Sequence, residues 1–176
     1  MKQILKEGEL CKVTREDDRV IKEYATTVDH INKKWLLHYQ AFFDLYGGVV
    51  KVHEADCHRI AMDYVEGESL MSILYNPAHQ QRHQKFSYKC FSAMLQSLAN
   101  MADFSSTLNT VWFHSDAGVH NFMYAKKRFT LIDPDSFFLT DNPYPGTFVS
   151  SLHPLHSILQ ANHMLHKIKY EENSNK

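Results

Sequence analysis

The sequence predicts a two-lobed α+β fold: a strand-rich first part, a mostly helical second part, and a cleft between them. Three observations predict it. Short strand-like runs surround a single helical stretch over residues 1–65. Beyond Glu66 helical periodicity dominates, apart from one small hairpin. A chain of 176 residues has room for one domain or for two small lobes sharing one cleft. The expected division is 1–65 for the first lobe, 66–170 for a short helical second lobe, and 171–176 (EENSNK) for a disordered tail.

Taken in order, Lys2–Lys6 and Leu10–Thr14 read as strands, and the polar turn Arg15–Asp18 leads into a third, Arg19–Tyr24. From Asp29 to Tyr46 the residues Ile31, Trp35, Tyr39, Phe42, Phe43 and Tyr46 recur at helical spacing, and Gly47-Gly48 closes that helix. Val49–His53 and His58–Val65 read as two more strands. A short helix, Ser69–Tyr75, and a polar stretch to Gln84 follow. The long helix Phe86–Leu108 is expected to bury Phe91, Met94, Leu95, Leu98, Met101, Ala102 and Leu108. Val111–Phe113 reads as a strand, and Phe122–Tyr124 and Phe129–Asp133 form a hairpin about the basic turn Lys126–Arg128. Asp141–Gly146 (DNPYPG) is a loop that shapes a peptide-binding edge or serves as a connector. Ser151–Lys169 reads as a last helix with Pro154 in its first turn.

Composition excludes several functions. With 44% hydrophobic and 22% charged residues and a formal charge of -1, there is no bulk basic field for nucleic acid or an anionic membrane. No apolar run approaches the roughly 18 residues that span a bilayer. The start MKQILKEGEL has no apolar core of a Sec-type signal peptide. A cytoplasmic protein is expected, with delivery into a host cell by a route without such a peptide left open. Cys11, Cys57 and Cys90 lack CxxC spacing and read as three buried thiols of a reducing compartment. The paired histidines His79/His83, His153/His156 and His163/His166 have no carboxylate at ligand spacing, so a metal reading is set aside.

The chemistry concentrates in His114-Ser-Asp116-Ala-Gly-Val-His-Asn121, followed after the hairpin by Leu131-Ile-Asp133-Pro-Asp135. Phosphoryl transfer needs one carboxylate to orient a hydroxyl and take its proton. It also needs an amide oxygen and a second carboxylate to hold Mg²⁺ against nucleotide phosphates. Asp116, Asn121 and Asp133 fit those roles. Upstream, Val20-Ile21-Lys22 ends a strand where a lysine would grip phosphates from the other lobe. Met62-Asp63-Tyr64-Val65-Glu66-Gly67 falls where backbone groups of Asp63 and Val65 would receive adenine. Singly, each residue reads as a turn cap or a surface side chain. The ordered set reads as a nucleotide site.

With these motifs the chain resembles the protein-kinase-like superfamily from about Arg19 to Asp135, and within it the compact kinases that pathogenic bacteria inject into host cells, which share an Asn-hydrophobic-Met-Tyr run such as Asn121–Tyr124. The resemblance implies a minimal kinase-like fold with a truncated C-terminal lobe, ATP and Mg²⁺ as cofactors, and a protein substrate, host proteins and an activating partner among the expected partners. It gives His114 a bracing rather than a catalytic role.

Four departures qualify it. Only Gly8 precedes Lys22, so a GxGxxG phosphate loop is impossible, and the turn near Lys6–Glu9 covers the phosphates with one glycine. No glutamate lies between Glu23 and Glu54 to pair with Lys22; Gln40 is the nearest substitute by spacing, with His38, Asp44 and Asp29 behind it. Pro134-Asp135 replaces Phe-Gly, which holds the loop in one shape and leaves Asp135 open to a second Mg²⁺ or to a surface role. Only residues 122–176 follow Asn121, so control through a long activation loop is not expected. The leading reading is an ATP- and Mg²⁺-dependent protein serine/threonine kinase. A pseudokinase acting as a partner-binding module comes second. A small-molecule kinase comes third, kept open because Gly118 stands where serine/threonine kinases carry lysine.

Overall fold

The computed structural model describes residues 2–75, 83–108 and 110–140. The loop Asp141–Gly146, the last helix, the tail and His79, His153, His156, His163 and His166 lie outside the described residues. Five strands form one antiparallel sheet in the order β1-β2-β3-β5-β4: β1 (Lys2–Glu7), β2 (Cys11–Glu16), β3 (Arg19–Tyr24), β4 (Val52–Asp56) and β5 (Arg59–Asp63). The period of two sorts the side chains. Val20 and Lys22 share one face of β3, cross-strand from Met62 and Ile60 of β5, and this face looks into the cleft.

Helix α1 (Lys33–Tyr46) starts later than the periodicity suggests, because Asn32 caps it: its Oδ1 accepts from the Trp35 N–H at 3.0 Å. The preceding Val28–Ile31 closes as a turn, with Ile31 N–H donating to Val28 O at 2.9 Å. Gly47, at φ +60°, ends the helix and donates to Phe43 O at 2.8 Å. Residues 49–50 do not begin β4 as expected. They join the other half instead: Val50 N–H donates to Leu131 O at 2.9 Å and Leu131 N–H to Gly48 O at 2.8 Å.

The second half opens with β6 (Glu68–Ser69) and α2 (Leu70–Tyr75), where the Ser69 hydroxyl accepts from Ser72 N–H at 3.1 Å. Helix α3 (His83–Leu108) buries Cys90, Met94, Met101 and Phe104. Leu95 and Ala102, expected inside, are exposed, since each sits about 100° round the helix from a buried methionine. Strand β7 (Val111–His114) pairs antiparallel with β10 (Phe137–Thr140), a strand the sequence reading missed. The β8 (Phe122–Ala125) and β9 (Arg128–Leu131) hairpin turns through Lys126 and Lys127, both left-handed at φ +49° and +65°. Only Cys90 of the three free thiols is buried; Cys11 and Cys57 are half-buried.

One aromatic core joins the halves. Trp112 stacks on Phe137 with ring centroids 5.2 Å apart, and Tyr39 and Phe42 of α1 meet Phe137 at 5.3 and 5.7 Å. Trp35 Nε1–H donates to Phe137 O at 2.8 Å, and Tyr39 OH donates to Val50 O at 2.7 Å. These contacts fix α1 against β10, which follows directly on the candidate site. No described helix is long and apolar enough to cross a membrane.

Candidate active site

Strand β3 delivers Lys22 into the cleft, half-buried, with its side chain 11% exposed. Its Nζ lies 2.5 Å from Asp133 Oδ1 and 2.8 Å from the Asp135 carboxylate. Gln40 is not its partner: its side chain makes no hydrogen bond among the described residues, and the inward face of α1 is aromatic (Trp35, Tyr39, Phe42). Asp135 is no surface acid either, with 16% of its side chain exposed. Burial works against all three charges. It pulls the Lys22 pKa down, but Asp135 and Asp133 outweigh it and the net shift is upward. Burial raises Asp133, yet the Lys22 ammonium holds its pKa below the usual value. Asp135 is raised, by burial and then by the neighbouring Asp133 charge.

Asp133 adopts a left-handed backbone, φ +67° and ψ +59°, ahead of a 3₁₀ turn at Pro134–Ser136. Such a conformation is costly for a side-chain-bearing residue and persists only where neighbours enforce it. Ser136 N–H returns to Asp133 O at 3.1 Å, and Ser115 N–H donates to Ser136 O at 2.8 Å. The loop after Asp133 is therefore tied to the loop that carries Asp116.

That second loop follows β7. Asn121, 7% exposed, donates through Nδ2 to Asp116 O at 2.7 Å and to Asp116 Oδ2 at 3.2 Å. Both amide hydrogens are thus used on Asp116, which leaves Asn121 Oδ1 as an acceptor for a cation. Ile132 N–H donates to Asn121 O at 2.7 Å, setting Asn121 beside the segment that leads from β9 to Asp133. An amide oxygen and one or two carboxylates are the donor set that suits a Mg²⁺ whose other ligands are phosphates and water. Among the described residues no cluster of three or more His, Cys, Asp or Glu side chains could hold a metal without such phosphates.

His114 is fully buried and joins the loops. Its Nδ1 accepts from Asp116 N–H at 3.1 Å, which places the ring proton on Nε2, donating to Asp133 O at 3.1 Å. Burial lowers its pKa from 6.5 to about 4, more than the nearby Asp133 charge raises it. The native state thus holds His114 neutral, while the unfolded chain protonates it near pH 6.5. Stability present above pH 6.5 is expected to fall as the pH drops through the folded pKa near 4, by about 3 kcal/mol from this residue. Urea unfolding of wild type and His114→Asn at pH 7.5 and 4.5 checks this: the wild type should lose more stability between the two.

Asp116 itself is half exposed, and His120 Nε2 sits 3.0 Å from its Oδ2. Gly118 makes this possible, because a Cβ there would press into the His120 imidazole. The sequence reading assigned His120 no part.

A cavity of about 300 Å³ lies between Lys22, Asp133 and the hinge. Val13, Val20 and Met62 line it from the sheet, Met123 and Ile132 from the other half, and Leu5 and Lys6 from β1. The sequence reading missed these apolar walls. Part of the signal was present, since Val20 stands two residues before Lys22 on the same face of β3. At the hinge Asp63 N–H is already spent on Lys51 O at 2.9 Å, and its side chain meets His53 at 2.6 Å, so of the Asp63 backbone only the carbonyl can serve a ligand. Tyr64 N–H donates to Asp18 O at 2.7 Å, and the Arg15 guanidinium lies 3.7 Å over its ring. Val65 makes no backbone hydrogen bond among the described residues and faces the cavity.

No protein-family model matches the sequence, and no curated protein matches it. Solved structures do. The kinase PK-1 of the Cydia pomonella granulovirus aligns with a TM-score of 0.51 at 16% identity, over 81% of this chain and 56% of that one. This chain therefore spans little more than half of the viral kinase. Weaker alignments are to an ADP-bound aminoglycoside phosphotransferase (TM-score 0.45, 14% identity, 80% of this chain and 67% of that one) and a choline/ethanolamine kinase family protein from Mesorhizobium loti (0.46, 13%, 91% and 69%). The fold is a kinase-like α+β fold with a β-sheet lobe and few helices.

Proposed function

We propose that the protein is an ATP- and Mg²⁺-dependent phosphotransferase whose acceptor is a serine or threonine hydroxyl of a protein. The observation that carries the reading is the pairing of Lys22 with Asp133 across the cleft, beside the loop that joins Asp116 to Asn121. On this reading the nucleotide base enters the apolar cavity, and the Asp63 carbonyl and Val65 N–H meet its edge. Lys22 holds the phosphates. Asn121 Oδ1 and Asp133 hold Mg²⁺, which offsets the charge of the transferring group. Asp116 orients the acceptor hydroxyl and takes its proton at a carboxylate oxygen. Half of the Asp116 side chain is open, which leaves room for a bulky acceptor.

A small-molecule acceptor is the second reading, favoured by Gly118, which offers no lysine beside Asp116. Purified protein incubated with γ-labelled ATP and Mg²⁺ tests both. One arm supplies generic proteins and a host-cell lysate, the other amino alcohols and aminoglycosides. Label is expected in protein, and its loss is expected in Asp133→Asn, a variant that tolerates the left-handed backbone better than alanine. Label only in the second arm shifts the acceptor class. No label in either arm, with no rise in melting temperature on adding Mg-ATP, removes the enzyme reading and leaves the partner-binding module.

A further inference from the structure

We propose that Asp135, rather than any residue of α1, is the anion that positions Lys22 for the nucleotide phosphates, an inference that rests on the phosphotransferase reading above. A lysine that projects from the middle of a strand into a cleft needs a fixed counter-charge to hold its ammonium in one place. Helix α1 has none to offer. Its only acid, Asp44, is exposed, and its inward side chains are aromatic groups whose N–H and O–H go to backbone carbonyls.

Asp135 is built for the task. Its carboxylate sits 2.8 Å from Lys22 Nζ and is largely buried. Its backbone is pinned as well: His30 Nε2–H donates to Asp135 O at 2.7 Å, and the His30 ring stacks on Phe138 at 4.0 Å. Pro134 before it is buried in the 3₁₀ turn. Two carboxylates share one ammonium here, and a divalent cation held by Asp133 would offset the excess negative charge. Asp135 then stays with Lys22. The lysine is thus set by the loop after Asp133, and α1 bears on it indirectly, through the packing of Trp35, Tyr39 and Phe42 on Phe137.

The test is a double-mutant cycle on Lys22→Ala, Asp135→Asn and their combination, with Asp135→Glu as the conservative control. In the nucleotide-free protein, the losses in melting temperature of the two single variants should fail to add. In transfer assays Asp135→Asn should lower kcat/KM for ATP by about 10- to 100-fold, with no further loss when it is added to Lys22→Ala. Asp135→Glu should recover most of that loss, and the Mg²⁺ concentration giving half-maximal rate should not move. Additive effects, or an Asp135→Asn rate within twofold of wild type, would overturn the proposal while leaving the enzyme reading intact. A large rise in the Mg²⁺ requirement would overturn it in favour of Asp135 as a metal ligand. A wild-type protein that transfers nothing and shows no rise in melting temperature with Mg-ATP sinks the phosphotransferase reading, and this one with it. If Asp135→Asn does not fold, Asp135→Ser with the same readouts takes its place.

Discussion

Asp116→Ala is expected to lower the rate of phosphoryl transfer by about 10²- to 10⁴-fold, the usual contribution of a positioned general base. The loss should be one of chemistry. Asp116 is half exposed, so its side chain contributes little to packing. Asn121 keeps its bond to the Asp116 backbone carbonyl at 2.7 Å, so the loop keeps its shape without the carboxylate. Binding of Mg-ATP, followed by the rise in melting temperature it causes, should therefore persist in the variant. Asp116→Asn should behave alike, since it preserves size and removes the proton acceptor. Single-turnover measurements with saturating ATP decide the matter. A rate within threefold of wild type would remove Asp116 from the chemistry.

Trp112→Ala is expected to destabilise the protein by about 3–5 kcal/mol, the range for truncating a fully buried aromatic. At this chain length that lowers the melting temperature by roughly 10 °C. Trp112 is 1% exposed, stacks on Phe137 and meets Phe104 edge-on at 6.0 Å. Its loss would open a cavity where α1, α3, β7 and β10 converge. Trp112→Phe should cost far less, below about 1.5 kcal/mol, for two reasons. It keeps a ring against Phe137, and it removes an indole N–H that is buried without a partner among the described residues. Chemical denaturation of the two variants beside wild type checks the ordering. A phenylalanine variant as unstable as the alanine one would mean that the full volume of the indole, not the ring stack on Phe137, holds this part of the core.

Much of the fold was legible locally. The strand Arg19–Tyr24 lies where its alternation put it, the Gly47 stop ends α1, and the hairpin around Lys126–Arg128 forms. What went astray shares one cause. Residues 49–50 looked like the start of a strand and instead hydrogen-bond to Leu131, a partner far along the chain. Strand β10 exists because β7 offers it an edge, and Phe137–Thr140 carries little period-two signal of its own. Leu95 and Ala102 are apolar enough to suggest burial, but the contact stripe of α3 is set by the neighbours that pack on it.

The candidate site divides the same way. The sequence offered Lys22, Asp116, Asn121 and Asp133 as candidates, because phosphoryl transfer needs groups of those types and the kinase-like resemblance places them in that succession. It could not choose the partner of Lys22. Gln40 was the nearest substitute by the spacing expected of a helix glutamate, whereas the folded chain brings in Asp135 from beyond the hairpin, and His30 and Phe138 hold it there. Spacing along a chain specifies which groups an element carries and which face they share. Which ammonium meets which carboxylate depends on distances between elements, and those are decided when the aromatic core of Trp35, Tyr39, Trp112 and Phe137 closes α1 onto β10.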